Sequence, residues 1–230
     1  MNAGILYIVA TPIGNLSDIT YRAVETLQKA DLIVCEDTRT SRKLLDKYSI
    51  KTPAVSFYQI QKIKGATKPV PKLDKLIFEL KMGKNIALIT DAGTPGISDP
   101  GNQLVEYAVK DNILVIPIPG ASALITLASV SGIDLTRFVF LGFPPHKKGR
   151  ETFFKEIAAQ KYPVSYYESP HRLIKNLELL KILAPDKKIV LGRELTKMFE
   201  EIVRGNVSET LQYFIDNPSK VKGEFVIIIY

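Results

Sequence analysis

The residues whose types and spacing suggest chemistry are gathered first in one turn. The run Thr90-Asp91-Ala92-Gly93-Thr94-Pro95-Gly96-Ile97-Ser98-Asp99-Pro100-Gly101 holds three glycines, two prolines and two aspartates in twelve positions. Glycine lets the backbone turn sharply and lets a ligand approach it closely, and proline stiffens what glycine loosens. The run follows Ile86-Ala87-Leu88-Ile89, an apolar stretch that reads as a buried parallel strand. A rigid, side-chain-poor loop at the carboxyl end of such a strand is where open α/β sheets bind ligands, and loops of this length in compact domains tend to be functional. Two further loops, Thr11-Pro12-Ile13-Gly14-Asn15 and Pro119-Gly120-Ala121-Ser122-Ala123, also follow strands and combine Gly or Pro with small residues. Any one of the three is an ordinary βα turn. Together they favour a small-ligand cleft.

Several chemistries lack their residues. No G-x-G-x-x-G follows the first strand and no G-x-x-x-x-G-K-[ST] occurs, which argues against a standard dinucleotide enzyme and a P-loop enzyme. One cysteine, Cys35, and two histidines, His146 and His171, give no metal-ligand spacing. No G-x-S-x-G elbow supports a hydrolase around His171. Catalysis is therefore expected to depend on binding and orienting substrates rather than on a metal or a covalent nucleophile.

The 230 residues suffice for one large or two small domains, and 46% hydrophobic and 24% charged residues are ordinary for a soluble globular chain. Formal net charge is +7 and is divided almost evenly between the two halves, a field that favours polyanionic partners. No apolar run approaches the ~20 residues that span a bilayer. The opening Met1-Asn2-Ala3-Gly4-Ile5 leads straight into a strand, and the lone Cys35 excludes a disulfide framework within the chain. The expected location is the cytoplasm.

These loops need elements to position them, and the pattern alternates strand and helix. Leu6–Ala10 reads as a strand, followed by a helix carrying Ala23, Val24, Leu27 and Ala30 with Ser17 or Asp18 as cap. Strand Leu32–Cys35, helix Thr40–Tyr48, strand Val55–Tyr58 and a Lys-rich loop from Gln59 to Lys72 come next. A helix around Leu73, Leu76, Ile77 and Leu80 ends at Gly83, and strand Ile86–Thr90, helix Gln103–Val109 and strand Ile113–Ile116 complete a parallel sheet with helices on both faces. Pro117-Ile118-Pro119-Gly120 breaks the pattern, so the predicted domains are 1–119 and 120–230. In the second, helices span Ala121–Val130, Glu151–Ala159, Arg172–Leu183 and Val207–Phe214. Strands span Phe138–Leu141, Val164–Tyr167, Ile189–Gly192, a short stretch around Ile202, and Phe225–Ile229. Strands without intervening helices there predict a mixed sheet. The fold class is α/β, with two α/β domains.

Leu6-Tyr7-Ile8-Val9-Ala10-Thr11-Pro12-Ile13-Gly14-Asn15-Leu16-Ser17-Asp18, Cys35-Glu36-Asp37-Thr38-Arg39, Asp91–Gly101, Pro117–Leu124, Tyr167-Glu168-Ser169-Pro170-His171-Arg172, Gly192-Arg193-Glu194-Leu195-Thr196-Lys197 and Lys222-Gly223-Glu224 occur in this order. Together they resemble the bacterial small-subunit ribosomal RNA cytidine 2′-O-methyltransferases, within the tetrapyrrole-methylase fold family, from Leu6 to Tyr230. The resemblance implies two α/β domains with S-adenosylmethionine held in the cleft between them, and a homodimer. It implies cofactor contacts at Pro12, Gly93, Thr94, Pro95, Ile97, Ser122 and Ala123, then at Tyr167, Glu168, Glu194, Leu195, Gly223, Glu224 and Phe225. Relatives acting on tetrapyrroles carry an acidic residue in a Gly-Asp-Pro turn; Gly93-Thr94-Pro95 stands here, so Asp91 supplies the carboxylate. The chain departs from the family after the third strand. Ser56-Phe57-Tyr58-Gln59-Ile60-Gln61 replaces a His-rich, Asn-containing segment, and any role there is lost, moved or filled by Tyr58 or Gln59.

Methyl transfer to a ribose hydroxyl is an in-line displacement from an activated donor, so alignment and exclusion of water dominate. A base within hydrogen-bond reach of the poorly acidic 2′-hydroxyl would help. Asp37 is the first candidate, with capping of the next helix or pairing with Arg39 as an equal alternative. Glu168 is the second, with a cofactor hydroxyl contact as its alternative. Ribosomal RNA, within the small subunit, would be held by Lys147, Lys148 and Arg150 of the basic loop His146–Arg150. Arg39, Arg172, Arg193 and Lys197 belong to the resembling motifs and would line the cleft, Arg172 and Arg193 being equally suited to structural ion pairs. Tyr58 is a candidate base-stacking residue. The competing functions are a tetrapyrrole methyltransferase, disfavoured by the basic loop, and a noncatalytic RNA-binding protein on the same fold.

Overall fold

Short apolar runs form the strands of the first half, and the central run Ile86–Leu88 is buried on both faces. The structure, a computed structural model, describes residues 3–57, 71–98 and 101–230. Tyr58 and Gln59, and with them the end of the third predicted strand and nearly all of the Gln59–Lys72 loop, lie outside the described residues. The chain divides into two compact units, Met1–Ser122 and Ala123–Tyr230.

In the first unit β1 (Ile5–Val9), β2 (Leu32–Cys35), β3 (Ala54–Ser56), β4 (Ile86–Leu88) and β5 (Leu114–Ile118) make one sheet in the order β3-β2-β4-β1-β5. Every pairing is parallel. Side-chain alternation builds a core on each face. Leu6, Val34, Ile86 and Leu88 pack with Leu73, Leu76, Ile77 and Leu80 of α3 (Pro71–Lys81) and Leu104 of α4 (Asn102–Lys110). Val9, Ile33, Cys35 and Ala87 pack with Ala23 and Leu27 of α1 (Tyr21–Lys29) and Leu45 of α2 (Thr38–Lys47). Gly83, at φ +91°, ends α3: its N–H donates to Leu80 O (3.0 Å) and that of Lys84 to Glu79 O (3.1 Å), the Schellman pattern that a C′ glycine allows.

Three local readings differ from the structure. Thr20 caps α1, its hydroxyl accepting from Ala23 N at 3.1 Å, while Ser17 and Asp18 sit in a 3₁₀ turn (Leu16–Asp18) capped by Asn15. Helix α2 begins at Thr38, not Thr40, because Asp37 supplies its cap. Strand β5 continues through Pro117 to Ile118, pairing with β1 alone; on an edge strand the missing proline N–H costs no ladder bond.

The second unit contains α5 (Ala123–Ser129), β6 (Val139–Phe140), α6 (Arg150–Ala159), β7 (Val164–Glu168), α7 (Pro170–Leu183), β8 (Lys188–Arg193), β9 (Glu201–Asn206), α8 (Val207–Asp216) and β10 (Phe225–Ile229). Its sheet runs β6-β7-β10-β8-β9. Only β6 and β7 are parallel, so the sheet is mixed. The short strand expected near Ile202 is a six-residue strand paired along the whole of β8. One face packs Tyr166, Leu191, Phe225 and Ile227 against Phe154, Leu177 and Phe214. Helix α5 covers the other, where a Cβ on Gly192 would come within 2.9 Å of Leu127 Cδ1.

The Tyr166 hydroxyl is fully buried in this core and has no hydrogen-bond partner among the described residues. An unsatisfied buried hydroxyl lowers stability. Tyr166→Phe is therefore expected to leave the urea midpoint unchanged or raise stability by up to about 1 kcal/mol, whereas Phe154→Ala in the same cluster should cost about 3–5 kcal/mol. A clear loss for Tyr166→Phe would show that the hydroxyl is bonded.

Candidate functional site

At the carboxyl edge of the first sheet, the loops after β1, β4 and β5 are tied to one another. Thr11 N donates to Gly93 O (2.9 Å) and Gly93 N to Thr11 O (3.1 Å). The Thr11 hydroxyl donates to Thr90 O at 3.1 Å and that of Thr94 to Ala121 O at 3.2 Å. Gly93 takes φ +81°, a left-handed conformation that favours glycine. A Cβ on Gly120 would sit 2.9 Å from Ala10 Cβ. The structure thus brings together Pro12, Gly93, Thr94 and the start of Ala121–Ala123. Pro12, Gly93 and Pro95 are buried, Thr94, Ser122 and Ala123 half-buried, and Ile97 exposed.

Carboxylates gather at the ends of β2 and β4. Asp91 Oδ1 accepts from Asp37 N at 3.3 Å. Asp37 itself accepts from Arg39 N (2.8 Å) and, through both oxygens, from the Arg39 guanidinium, the shortest contact being Nη2–Oδ2 at 2.7 Å. Those Arg39 hydrogen bonds lower the Asp37 pKa to about 2. Burial raises the pKa of neighbouring Glu36, and the charges of Asp91 and Asp37 raise it further. Asp37 thus caps α2 and pairs with Arg39, and that pairing favours its charged form.

In the second unit Glu168 ends β7 and is 2% exposed. Its Oε1 accepts from Ser169 N (2.7 Å) and its Oε2 from Asn176 Nδ2 (2.5 Å). Burial raises its pKa, against the opposing pull of Asn176, Ser169, Arg172 and Arg150. Arg172 donates through Nε to Ser169 Oγ (2.9 Å) and through Nη1 to Pro144 O (2.7 Å), joining the start of α7 to the loop before α6. Arg193 donates to the carbonyls of Lys220 (2.6 Å) and Phe199 (3.0 Å). Both guanidinium groups brace backbone. Lys147 and Lys148 are exposed and Arg150 half-exposed.

Glu194 and Glu224 form a second tied pair. Glu194 N donates to Glu224 O and Glu224 N to Glu194 Oε1, both at 2.9 Å. Lys197 Nζ reaches the same oxygen at 2.8 Å. A Cβ on Gly223, at φ +84°, would overlap that carboxylate. Leu195 is buried beside Gly192, and the Phe225 ring faces the core against Phe214 at 5.8 Å, leaving only its backbone for a ligand. Tyr167 packs between Phe140 and Phe143. Phe143 is not singled out by the sequence reading, although Gly142-Phe143-Pro144-Pro145, a rigid aromatic turn leading into the basic loop, is a signal for it. Among the described residues no group of three or more His, Cys, Asp or Glu is placed to hold a metal ion.

The overlap at Gly223 has a thermodynamic signature. Gly223→Ala is expected to destabilise by about 1–3 kcal/mol, and to cost measurably less in a Glu194→Ala background, where the overlapping carboxylate is gone. Thermal melts of the four proteins in this cycle check it; additive costs would place the strain elsewhere.

Residues 5–211 match the family model described as Tetrapyrrole (Corrin/Porphyrin) Methylases. A Synechocystis sp. protein named Ribosomal RNA small subunit methyltransferase I is 46% identical over 228 residues, covering 98% of this chain and 78% of that protein. A protein of the same name from Haemophilus influenzae is 45% identical with the same coverage. A crystal structure of diphthine synthase superposes with a TM-score of 0.74 at 14% identity, over 98% of this chain and 89% of that one, which shows a shared fold. The chain belongs to the tetrapyrrole (corrin/porphyrin) methylase family and, within it, to the group of proteins named ribosomal RNA small subunit methyltransferase I.

Proposed function

We propose that this chain transfers a methyl group from S-adenosylmethionine to the ribose 2′-hydroxyl of a cytidine in small-subunit ribosomal RNA. The observation that carries the reading is 46% identity, over 98% of the chain, to a protein named for methylating that RNA. The same reading makes it a cytoplasmic homodimer that meets its substrate within the ribosomal subunit.

The residues present fit such a cofactor. When bound, S-adenosylmethionine supplies a methyl group on a sulfonium, already activated for displacement. Pro12, Gly93, Thr94, Pro95, Ile97 and Ser122 of the first unit, and Ala123, would hold it through a bare, tied backbone. The carboxylates of Asp91 and Glu36 suit its positive charge, Asp37 being committed to Arg39. In the second unit Tyr167, Glu194, Leu195 and the 223–225 backbone would contribute, with Glu194 keeping Gly223 and Glu224 in place. Fixing the acceptor oxygen against the methyl carbon is the larger part of the catalysis.

Lys147, Lys148, Arg150 and Arg39 would take phosphates. Arg172 and Arg193 act as braces, and Glu168 positions the start of α7. Asp37 orients Arg39, and the 2′ proton goes to solvent water. Asp37→Asn keeps an oxygen to cap α2. It is expected to leave melting temperature and cofactor affinity nearly unchanged and to reduce kcat/KM for RNA by less than about tenfold, through a raised KM. A fall in kcat of about 10²-fold or more at constant KM would instead make Asp37 the base.

The reading as a whole is tested with labelled S-adenosylmethionine and small ribosomal subunits lacking the modification, with naked ribosomal RNA and a tetrapyrrole alongside. Label at a cytidine 2′-O is the expected result. Label in the macrocycle alone would favour the tetrapyrrole reaction, and cofactor bound without any transfer would favour a noncatalytic binder.

A further inference from the structure

Phe143 stands out in the second unit because it is held firmly yet left 52% exposed. Its ring lies 5.2 Å from that of Tyr167 at 48°, and Tyr167 is braced on Phe140 at 5.1 Å in an edge-to-face contact. The backbone on both sides is fixed: Gly142 O accepts from Tyr167 N at 2.9 Å, and Pro144 O accepts from Arg172 Nη1 at 2.7 Å. Arg172 is anchored in turn on Ser169. An exposed aromatic ring that loses little freedom on binding makes a good stacking surface.

The electrostatics select what it stacks on. His146, Lys147, Lys148 and Arg150 follow within seven residues. Arg150 N donates to Lys147 O (3.3 Å) and Phe153 N to Gly149 O (2.9 Å), so the basic loop is folded onto the first turn of α6. Of the nearby carboxylates, Glu168 is buried on Asn176 and Glu151 is paired with Lys155 at 2.6 Å. The other exposed phenylalanine of this unit, Phe199 at 66%, is followed directly by Glu200 and Glu201 instead of a basic run. A second copy presenting the same basic face would be repelled by the Phe143 surface.

We propose that Phe143 is a stacking platform for an unpaired base of the RNA substrate, whose backbone is held by Lys147, Lys148 and Arg150. Single-stranded RNA is recognised through splayed bases on aromatic faces beside a cationic groove. The proposal rests on the ribosomal RNA reading given above and assigns a residue that reading leaves without a role.

The chain contains no tryptophan, so Phe143→Trp installs a single reporter on an exposed site. Its emission is expected to be quenched by single-stranded oligocytidylate and to stay unchanged with an abasic ribose-phosphate chain of equal length that binds, by anisotropy, at the same loop. With modification-deficient small subunits, Phe143→Ala should lower kcat/KM by about tenfold or more at unchanged S-adenosylmethionine affinity, and Phe143→Tyr should stay within about twofold of wild type. Equal quenching by the abasic chain, quenching by S-adenosylmethionine alone, a changed oligomeric state in Phe143→Ala, or wild-type turnover in that variant would each overturn the proposal. Base-dependent quenching in a protein that methylates no ribosomal RNA would support the platform and overturn the reading of function instead.

Discussion

Two reciprocal backbone hydrogen bonds between Thr11 and Gly93, at 2.9 and 3.1 Å, set the conditions for the rest of the first unit. In sequence these residues are far apart; in the sheet β4 lies directly beside β1, so their following loops start side by side. Each bond contributes only about 1 kcal/mol net. Leaving four buried polar groups unpaired at that edge would cost more, and the pairing therefore dictates composition. Gly93 must adopt a positive φ, the Thr11 hydroxyl must find Thr90 O, and Gly120 must lie against Ala10. A loop built under these demands keeps few side chains, which suits its backbone to the close approach of a ligand.

The second unit meets a comparable demand with charged side chains. Glu194 reaches across Gly223 to the Glu224 amide, and Arg193 spends its donors on carbonyls of the 199–222 stretch. Glu168, nearly inaccessible, is ionisable at a cost that its raised pKa records. Removing a partner from such a group is more damaging than never having had the pair, because the remaining charge is left buried and uncompensated. These groups consequently hold the backbone of β8, β10 and α7 in one arrangement.

Much of this architecture is legible in the residues. The runs Leu6–Ala10, Leu32–Cys35 and Ile86–Ile89 are apolar on both faces, as strands of a doubly covered sheet require, and the three Gly/Pro loops converge as their positions after strands require. Errors arise where two local solutions are close in energy. Ser17, Asp18 and Thr20 are all good caps, and only the 3₁₀ turn begun at Asn15 decides for Thr20. Pro117 reads as a strand breaker until β5 is known to be an edge. Pairings across long separations are not legible at all. Glu194 with Gly223, or Arg172 with the Pro144 carbonyl, depend on which backbone atoms the finished fold brings into reach.

That last class of information changes what the net charge means. A formal excess of +7 suggests a surface prepared for a polyanion, and four arginines of the resembling motifs and basic loop would serve it equally well on charge alone. In the fold they do not. The Arg172 and Arg193 side chains are 14% and 10% exposed and bonded to carbonyls, so their charge acts on the protein's own backbone. Arg39 is 89% exposed but pairs with Asp37, which offsets much of its field at a distance. Among the cations of the resembling motifs and the basic loop, those with their charge turned outward are Lys147 and Lys148, with Arg150 half-exposed beside them, on a loop whose aromatic neighbour is braced on Tyr167. Of the motif arginines that charge alone would assign to an anionic chain, the fold thus commits Arg172 and Arg193 to the protein's own backbone, and a charge summed over the sequence does not distinguish the two uses.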